Sequence, residues 1–289
     1  MGSINIWQSL ALAAIQGLTE FLPVSSSGHL VLARRLFGWS DEGGLLFDTV
    51  LHAGSLAAIL IYFRREWMEI IRAYFHKNAG ASEIQNSESG IENPKSKIQN
   101  ADGAFYRRLP WLIIAATIPA VIAAPLKSVF ESDAIIRNAW ITGLSMIMTA
   151  LLFLLVERRP APASGKPLDF LNALFIGCMQ VVAFLPGASR SGWTTGGGIF
   201  CGQSRESAVR FAFLMAVPAI AGATILQFRE IIQLPQTGFD PLVISAGFGV
   251  SFAASMAAIH FCLKYFRNHS LRPFAVYLIL AGLLAILLK

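Results

Sequence analysis

The chain has 289 residues, 55% of them hydrophobic and only 14% charged, with a formal net charge of +6. Soluble domains carry about 25% charged residues, so this chain has too much apolar surface for one water-soluble core, and lipid is the expected solvent. The basic residues gather in loops between apolar segments, a membrane-sidedness pattern rather than a nucleic-acid footprint, and the scattered Cys178, Cys201 and Cys262 exclude a disulfide framework or a zinc site.

The first apolar segment, residues 6–36, is broken at 21–29 by FLPVSSSGH. Pro removes a backbone donor and Gly loosens a helix. Broken backbone is tolerated at membrane depth only where protein or a polar cavity satisfies it, so this segment is expected to enter the membrane and return to the same side. A span follows near 47–63, the shortest of the set. Residues 76–105 are polar and rich in Ser, Asn, Glu and Gly, and predict a flexible loop. Spans near 111–130 and 137–156 come next, then a linker at 157–169, ERRPAPASGKPLD. Residues 170–202 repeat the broken pattern with FLPGASRSG at 184–192, and spans near 207–228, 241–262 and 271–288 complete the chain.

The units expected are therefore 1–75 as a first half, 76–105 as a cytoplasmic loop, 106–156 as two spans, 157–169 as a linker, and 170–289 as a second half. Three basic groups share one side in this arrangement: 64–108, the linker, and Lys264, Arg267 and Arg272. The positive-inside rule makes that side cytoplasmic. Arg34 and Arg35 fall on the opposite side, at headgroups or near an anionic substrate.

The halves resemble each other. Phe21-Leu22-Pro23 matches Phe184-Leu185-Pro186, and after a one-residue gap Ser25, Ser27 and Gly28 match Ser189, Ser191 and Gly192; Phe47 with Phe211 and Arg65-Glu66 with Arg229-Glu230 keep the same offset of 164. The charge pattern gives the copies opposite orientation. The fold class expected is an all-α polytopic membrane protein with about six transmembrane helices plus two re-entrant hairpins in an inverted-topology repeat, an arrangement that puts a binding site near the midplane.

Two constellations carry chemistry. Gln16 and Glu20, four apart, share a helix face, and a carboxylate in an apolar segment needs a partner, a metal or water. Ser25, Ser26, Ser27 and His29 follow, hydroxyls with a nearby imidazole that suit attack on phosphorus or proton transfer. Equally, these serines can back-bond to broken helix carbonyls. In the second hairpin Arg190 lies between Ser189 and Ser191, with Thr194 and the glycines 196–198 beyond. Guanidinium grips phosphate bidentately and Gly lets backbone N–H groups approach an anion, but Gly also permits close helix packing and Arg190 also suits a structural pair with Glu20. Asp48 and His52 share a helix face and read as supporting partners, metal ligands or satisfied helix-end groups; Gln180 reads as a structural hydrogen bond.

QGLTEFLPVSSSGH at 16–29 and PGASRSGWT at 186–194 resemble the two signatures of the bacterial undecaprenyl-diphosphate phosphatase family, the bacitracin-resistance type, and the resemblance runs along the whole chain apart from 76–105. It implies an integral membrane phosphatase that removes the terminal phosphate of undecaprenyl diphosphate and returns the carrier lipid to cell-wall synthesis. It implies a divalent cation, Mg or Ca, at Glu20; Ser26 and His29 as nucleophilic and proton-transfer candidates; Arg190 as diphosphate anchor; and Gln16, Ser25, Ser27, Ser189, Ser191 and Thr194 as substrate-binding residues. Many members carry Glu where this chain has the uncharged Gln16. The implied partner is a polyprenyl diphosphate lipid, with no nucleic acid and with a homodimer as one oligomeric option, in the bacterial plasma membrane with the site facing outward. The competing class is a lipid-phosphate flippase or transporter built on the same inverted-repeat site.

Overall fold

The computed structural model describes residues 4–39, 44–75, 94–130, 138–158, 165–233 and 240–288. Among them every regular element is helical: α1 (Ile6–Phe21), α2 (Ser26–Phe37), α3 (Gly44–Tyr62), α4 (Arg64–Phe75), α5 (Pro94–Phe130), α6 (Ala139–Val156), α7 (Phe170–Val181), a 3-10 turn (Val182–Phe184), α8 (Arg190–Phe200), α9 (Arg205–Gln233), α10 (Pro241–Tyr265) and α11 (Arg272–Leu287). Four contain stretches long and apolar enough to cross a bilayer, Ala104–Leu126, Ala139–Val156, Arg205–Arg229 and Pro241–Tyr265; α3 and α4, which meet at a 60° bend, reach that length and apolarity only when taken together.

The polar stretch 76–105 is where composition and structure part. Residues 76–93 lie outside the described residues, but α5 begins at Pro94, so the end of the expected flexible loop is helical. Proline suits a first helical position, where its missing N–H leaves no bond unmade, and its fixed φ is already helical. The apolar span beyond then carries the helix on through residues that would not start one.

Helices α1, α3 and α10 pack together, α5 packs on α7, α6 on α11, and α9 on α3 and α8. Lipid offers no hydrophobic force to drive helices together, so small residues and hydroxyls mark the tight contacts. Ser251 Oγ donates to Leu51 O (2.7 Å), and Ser255 Oγ donates to Ser55 Oγ (2.9 Å) and to Gly17 O (3.3 Å), stitching α10 to α3 and α1. The α6–α11 crossing is closer still: a Cβ on Gly143 or Gly282 would stand 2.4 or 2.6 Å from the other's carbonyl oxygen. Phe21, Phe63 and Phe213 meet edge to face beneath the first hairpin.

Arg34, an exception to the charge pattern, forks onto Asp48 at 2.9 and 2.6 Å, tying α2 to α3. Its charge is thereby neutralised within the protein, which removes the cost of placing it on the less basic side.

Candidate active site

Each hairpin is broken by the same chemistry. Pro23 follows Leu22, whose ψ of 140° ends α1, and Pro186 follows Leu185, with ψ of 129° at the end of the 3-10 turn. The residue before proline is driven to extended backbone, so neither helix continues through its tip. Ser25 then caps α2 by accepting from Gly28 N (3.3 Å), and Ser189 caps α8 by accepting from Gly192 N (3.1 Å). The tips touch: a Cβ on Gly28 would lie 3.2 Å from Gly187 Cα, and Ser191 Oγ donates to Leu22 O at 3.0 Å.

Glu20 is the centre of the cluster. Its side chain is 4% exposed, and a buried carboxylate costs several kcal/mol unless charge and hydrogen bonds compensate it. Gln16 Nε2 donates to Oε2 at 2.8 Å and Ser26 Oγ donates to the same oxygen at 2.7 Å. Arg190 Nη2 donates to Oε1, and His52 Nε2 stands 3.8 Å from Oε2. Ser26 is the first residue of α2 and Arg190 the first of α8. The side chains of the first residues of two helices therefore converge on one carboxylate. Among the described residues Glu20 is the only acceptor for the Arg190 side chain, which leaves the other guanidinium donors for an anion.

The remaining expected hydroxyls are committed locally. Besides capping, Ser25 Oγ lies 3.4 Å from the exposed Ser27 Oγ, and Ser189 Oγ lies 3.2 Å from Ser191 Oγ. Thr194 Oγ1 donates back to Arg190 O at 2.8 Å. Glycines 196–198 are buried against Leu152, Met179 and Ala208 respectively, a packing surface rather than an anion cradle. Gln180, expected to make a structural hydrogen bond, is buried with neither amide atom partnered among the described residues.

Comparison with known proteins gives the family. The family of the bacitracin resistance protein BacA matches residues 9–284. An undecaprenyl-diphosphatase of Corynebacterium efficiens is 37% identical over 97% of this chain and 89% of its own length. One of Geobacter metallireducens is 36% identical over 96% of both chains, and one of Rubrobacter xylanophilus is 36% identical over 99% of both. The chain belongs to the BacA family.

In this BacA-family chain His29 is arranged differently from the role that the resemblance implies. His29 is not bonded to Ser26. Its Nδ1 lies 2.7 Å from Ser25 O and its Nε2 lies 2.6 Å from Tyr277 Oη, with the rings parallel within 8°. A carbonyl oxygen only accepts, so Nδ1 carries a proton and donates to Ser25 O. His52 follows the same logic: Nδ1 donates to Asp48 O at 2.8 Å, which leaves Nε2 turned to Glu20. Tyr277 had no sequence signal, because one tyrosine in an apolar helix reads as lipid-facing. The signal for His52 was weak: it sits four residues past Asp48, a spacing shared by any helix face. Among the described residues no three His, Cys, Asp or Glu side chains cluster as a metal site.

Proposed function

We propose that this protein is a membrane phosphatase that hydrolyses undecaprenyl diphosphate to undecaprenyl phosphate and inorganic phosphate, recycling the carrier lipid for cell-wall synthesis. The observation that carries the reading is the convergence of Ser26 and Arg190, each the first residue of its helix, on buried Glu20. A hydroxyl held on a carboxylate beside a guanidinium with spare donors is the equipment of phosphoryl transfer.

The geometry supports the following course. The incoming diphosphate takes Arg190 from Glu20, because guanidinium binds phosphate oxygens in a fork and the α8 N-terminus adds a favourable field. Ser26 Oγ attacks the terminal phosphorus and its proton passes to Glu20 Oε2, 2.7 Å away, in place of the transfer to His29 that the motif implies. The bond from phosphorus to the bridging oxygen breaks, undecaprenyl phosphate leaves, and water then cleaves phosphoserine to free phosphate and restore Ser26.

A divalent cation, Mg or Ca, belongs to the same proposal. Hard cations take oxygen ligands, and Mg is commonly held by one or two carboxylates plus substrate phosphates. The residues fit on one observation: Gln16 Oε1 is buried with no hydrogen-bond partner, an orphaned acceptor whose amide nitrogen is already bonded to Glu20. Glu20 and the Gln16 carbonyl would hold the ion, which when bound supplies charge neutralisation on the phosphoryl oxygens.

The finer topology is also proposed. Six spans, α3, α5, α6, α9, α10 and α11, with α1–α2 and α7–α8 as re-entrant hairpins, are supported by the breaks before Pro23 and Pro186 and by the short α2, α7 and α8, of 12, 12 and 11 residues. An inverted repeat is supported by the pairing pattern. A two-fold that exchanges the halves pairs α3 with α9 and α6 with α11, and turns the α1–α10 contact into α7–α5; all four contacts occur. Location in the bacterial plasma membrane with the site opening outward belongs to the same proposal; the outward opening is supported by the basic loops expected on the opposite side.

The test is phosphate release by the purified protein in detergent on long- and short-chain isoprenoid diphosphates, with and without chelator. A carrier would bind these lipids and release nothing. Trapped phosphoenzyme should map to Ser26; phosphate on His29 or His52 would reverse the assignment.

A further inference from the structure

Helix α4 is unlike the rest. It is the one α-helix without a buried residue among those described, and it leaves α3 at a 60° bend. Trp67 and Ile70 lean on the protein core, and Tyr74 Oη donates to Arg107 O (3.1 Å) at the start of the α5 span. Met68, Ile71 and Phe75, at helical spacing, form a separate stripe that is 44, 55 and 83% exposed. Arg65 and Arg72 run beside that stripe, both exposed. The two acidic residues are already answered: Glu66 accepts from Arg210 at 2.7 Å and Glu69 from Arg72 at 2.6 Å. Arg107 and Arg108, next to the Tyr74 contact, are exposed as well.

An apolar stripe of this size in water is unfavourable, and a tilted helix continuous with a span has one natural cover. We propose that α4 lies flat in the interface of the membrane that α3 crosses, with Met68, Ile71 and Phe75 sunk into the acyl boundary and Arg64, Arg65, Arg107 and Arg108 on the phosphates of anionic lipids. The charge sign commits the partner. An apolar face flanked by arginines matches an anionic headgroup layer, whose attraction adds about 1 kcal/mol per basic residue near the surface. The stems of these arginines are long enough to cover apolar surface while their heads reach water. This inference rests on the membrane-embedded reading and not on the reaction.

The experiment uses the full-length protein with Cys178 and Cys201 replaced by Ser, a nitroxide introduced through Ile71→Cys, Phe75→Cys or Glu69→Cys, and bilayers of phosphatidylcholine with or without phosphatidylglycerol. At positions 71 and 75 the label should collide with oxygen and exclude a nickel chelate, while at 69 it should meet nickel. Adding phosphatidylglycerol should deepen positions 71 and 75, and Arg65→Gln should reduce that deepening. Nickel access at 71 and 75 in both bilayers overturns the proposal, as does exclusion of both reagents, which would mean that a protein covers the stripe. A lipid signal blind to phosphatidylglycerol overturns the anionic partner. Phosphate release by the same samples reports the reaction separately, so either reading can fail alone.

Discussion

The two hairpin tips solve one problem in two ways. At the second tip the work is divided: Gly187 supplies the left-handed turn at φ +87°, and Ser189, two residues on, supplies the cap. At the first tip Ser25 does both, capping α2 from a φ of +74°, the only positive φ of a non-glycine residue among those described. This accounts for the one-residue gap between the copies. It also costs about 1–3 kcal/mol of backbone strain, the kind that persists where surrounding structure over-determines it and that gathers at functional sites. The strained tip carries Ser26 and aims the Ser25 carbonyl at His29, whereas the relaxed tip carries Arg190. In the proposed reaction one tip holds the reacting group and the other the anchor.

The largest effect should come from separating anchor from carboxylate. Arg190→Lys keeps the charge but loses the fork, and kcat should fall by roughly 10²–10³-fold, the scale of a lost charge-stabilising donor. Arg190→Ala should in addition destabilise the protein by about 3–5 kcal/mol, because buried Glu20 loses its partner. Adding Glu20→Gln to Arg190→Ala should return most of the stability and none of the activity. Thermal unfolding in detergent beside phosphate release reads both. A double variant no more stable than Arg190→Ala would mean that the pair is not what holds the tips.

Exchanging the turn residues tests the tips themselves. A Cβ on Gly187 would stand 2.2 Å from Thr142 O, so Gly187→Ala should cost about 1–3 kcal/mol from overpacking, with left-handed strain on top. Ser25→Gly relieves strain and loses only a modest cap, so its stability should stay within about 1 kcal/mol of the parent. Its activity should drop even so, because Ser26 and the His29 carbonyl partner are no longer held. Equal losses of stability in the two variants would remove the distinction between them.

A finer cut concerns the histidine that the strained tip holds. Tyr277→Phe keeps the ring stack and removes one hydrogen bond, about 1 kcal/mol or roughly fivefold. If Tyr277 acts by orienting His29, the loss should fall on kcat with KM unchanged, and it should vanish in a His29→Gln background. A KM effect, or the same loss in both backgrounds, would make Tyr277 a substrate contact or a packing residue.

The tips were legible in the sequence because proline, glycine and serine act locally: FLPVSSSG and FLPGASRSG announce a break whatever surrounds them. Glu20, Ser26 and Arg190 were legible as polar groups with no excuse in an apolar segment. What could not be read is set by contacts far apart in the chain. Tyr277 lies 248 residues from His29, and nothing near either one announces the other. His52 looked like a helix-face residue because the direction of its free nitrogen is fixed only once Asp48 O has taken the other. The glycine run was misleading for the same reason: its neighbours on three other helices decide that it packs. The helical start of α5 was missed because composition weighs residues one at a time, and a helix already begun costs little to extend.

The smallest predicted effect lies at the C-terminal end of α6, where a second buried carboxylate shows what a structural pair looks like. Glu157 follows α6 and accepts from Arg205 Nε at 2.8 Å, from Arg205 Nη2 at 2.5 Å and from Leu271 N at 2.9 Å, joining three helices. Burial pushes its carboxyl up, but the Arg205 hydrogen bonds, the Leu271 N–H and the charges of Arg205 and Arg272 together outweigh it and hold it below the usual range. A carboxylate depressed in the folded state stabilises fully above its unfolded value and loses that contribution as pH falls through the folded one. The melting temperature should therefore drop by a few degrees as the pH is taken below the ordinary carboxylate range. Glu157→Gln, which no longer titrates, should start lower and lack that part of the drop. Glu20 accepts a hydroxyl and an amide and is flanked by an imidazole; among the described residues Glu157 accepts only from an arginine fork and one backbone N–H. If the clamp is structural alone, Glu157→Gln should leave kcat at neutral pH unchanged, and a loss of activity there without a loss of stability would erase the contrast between the two carboxylates.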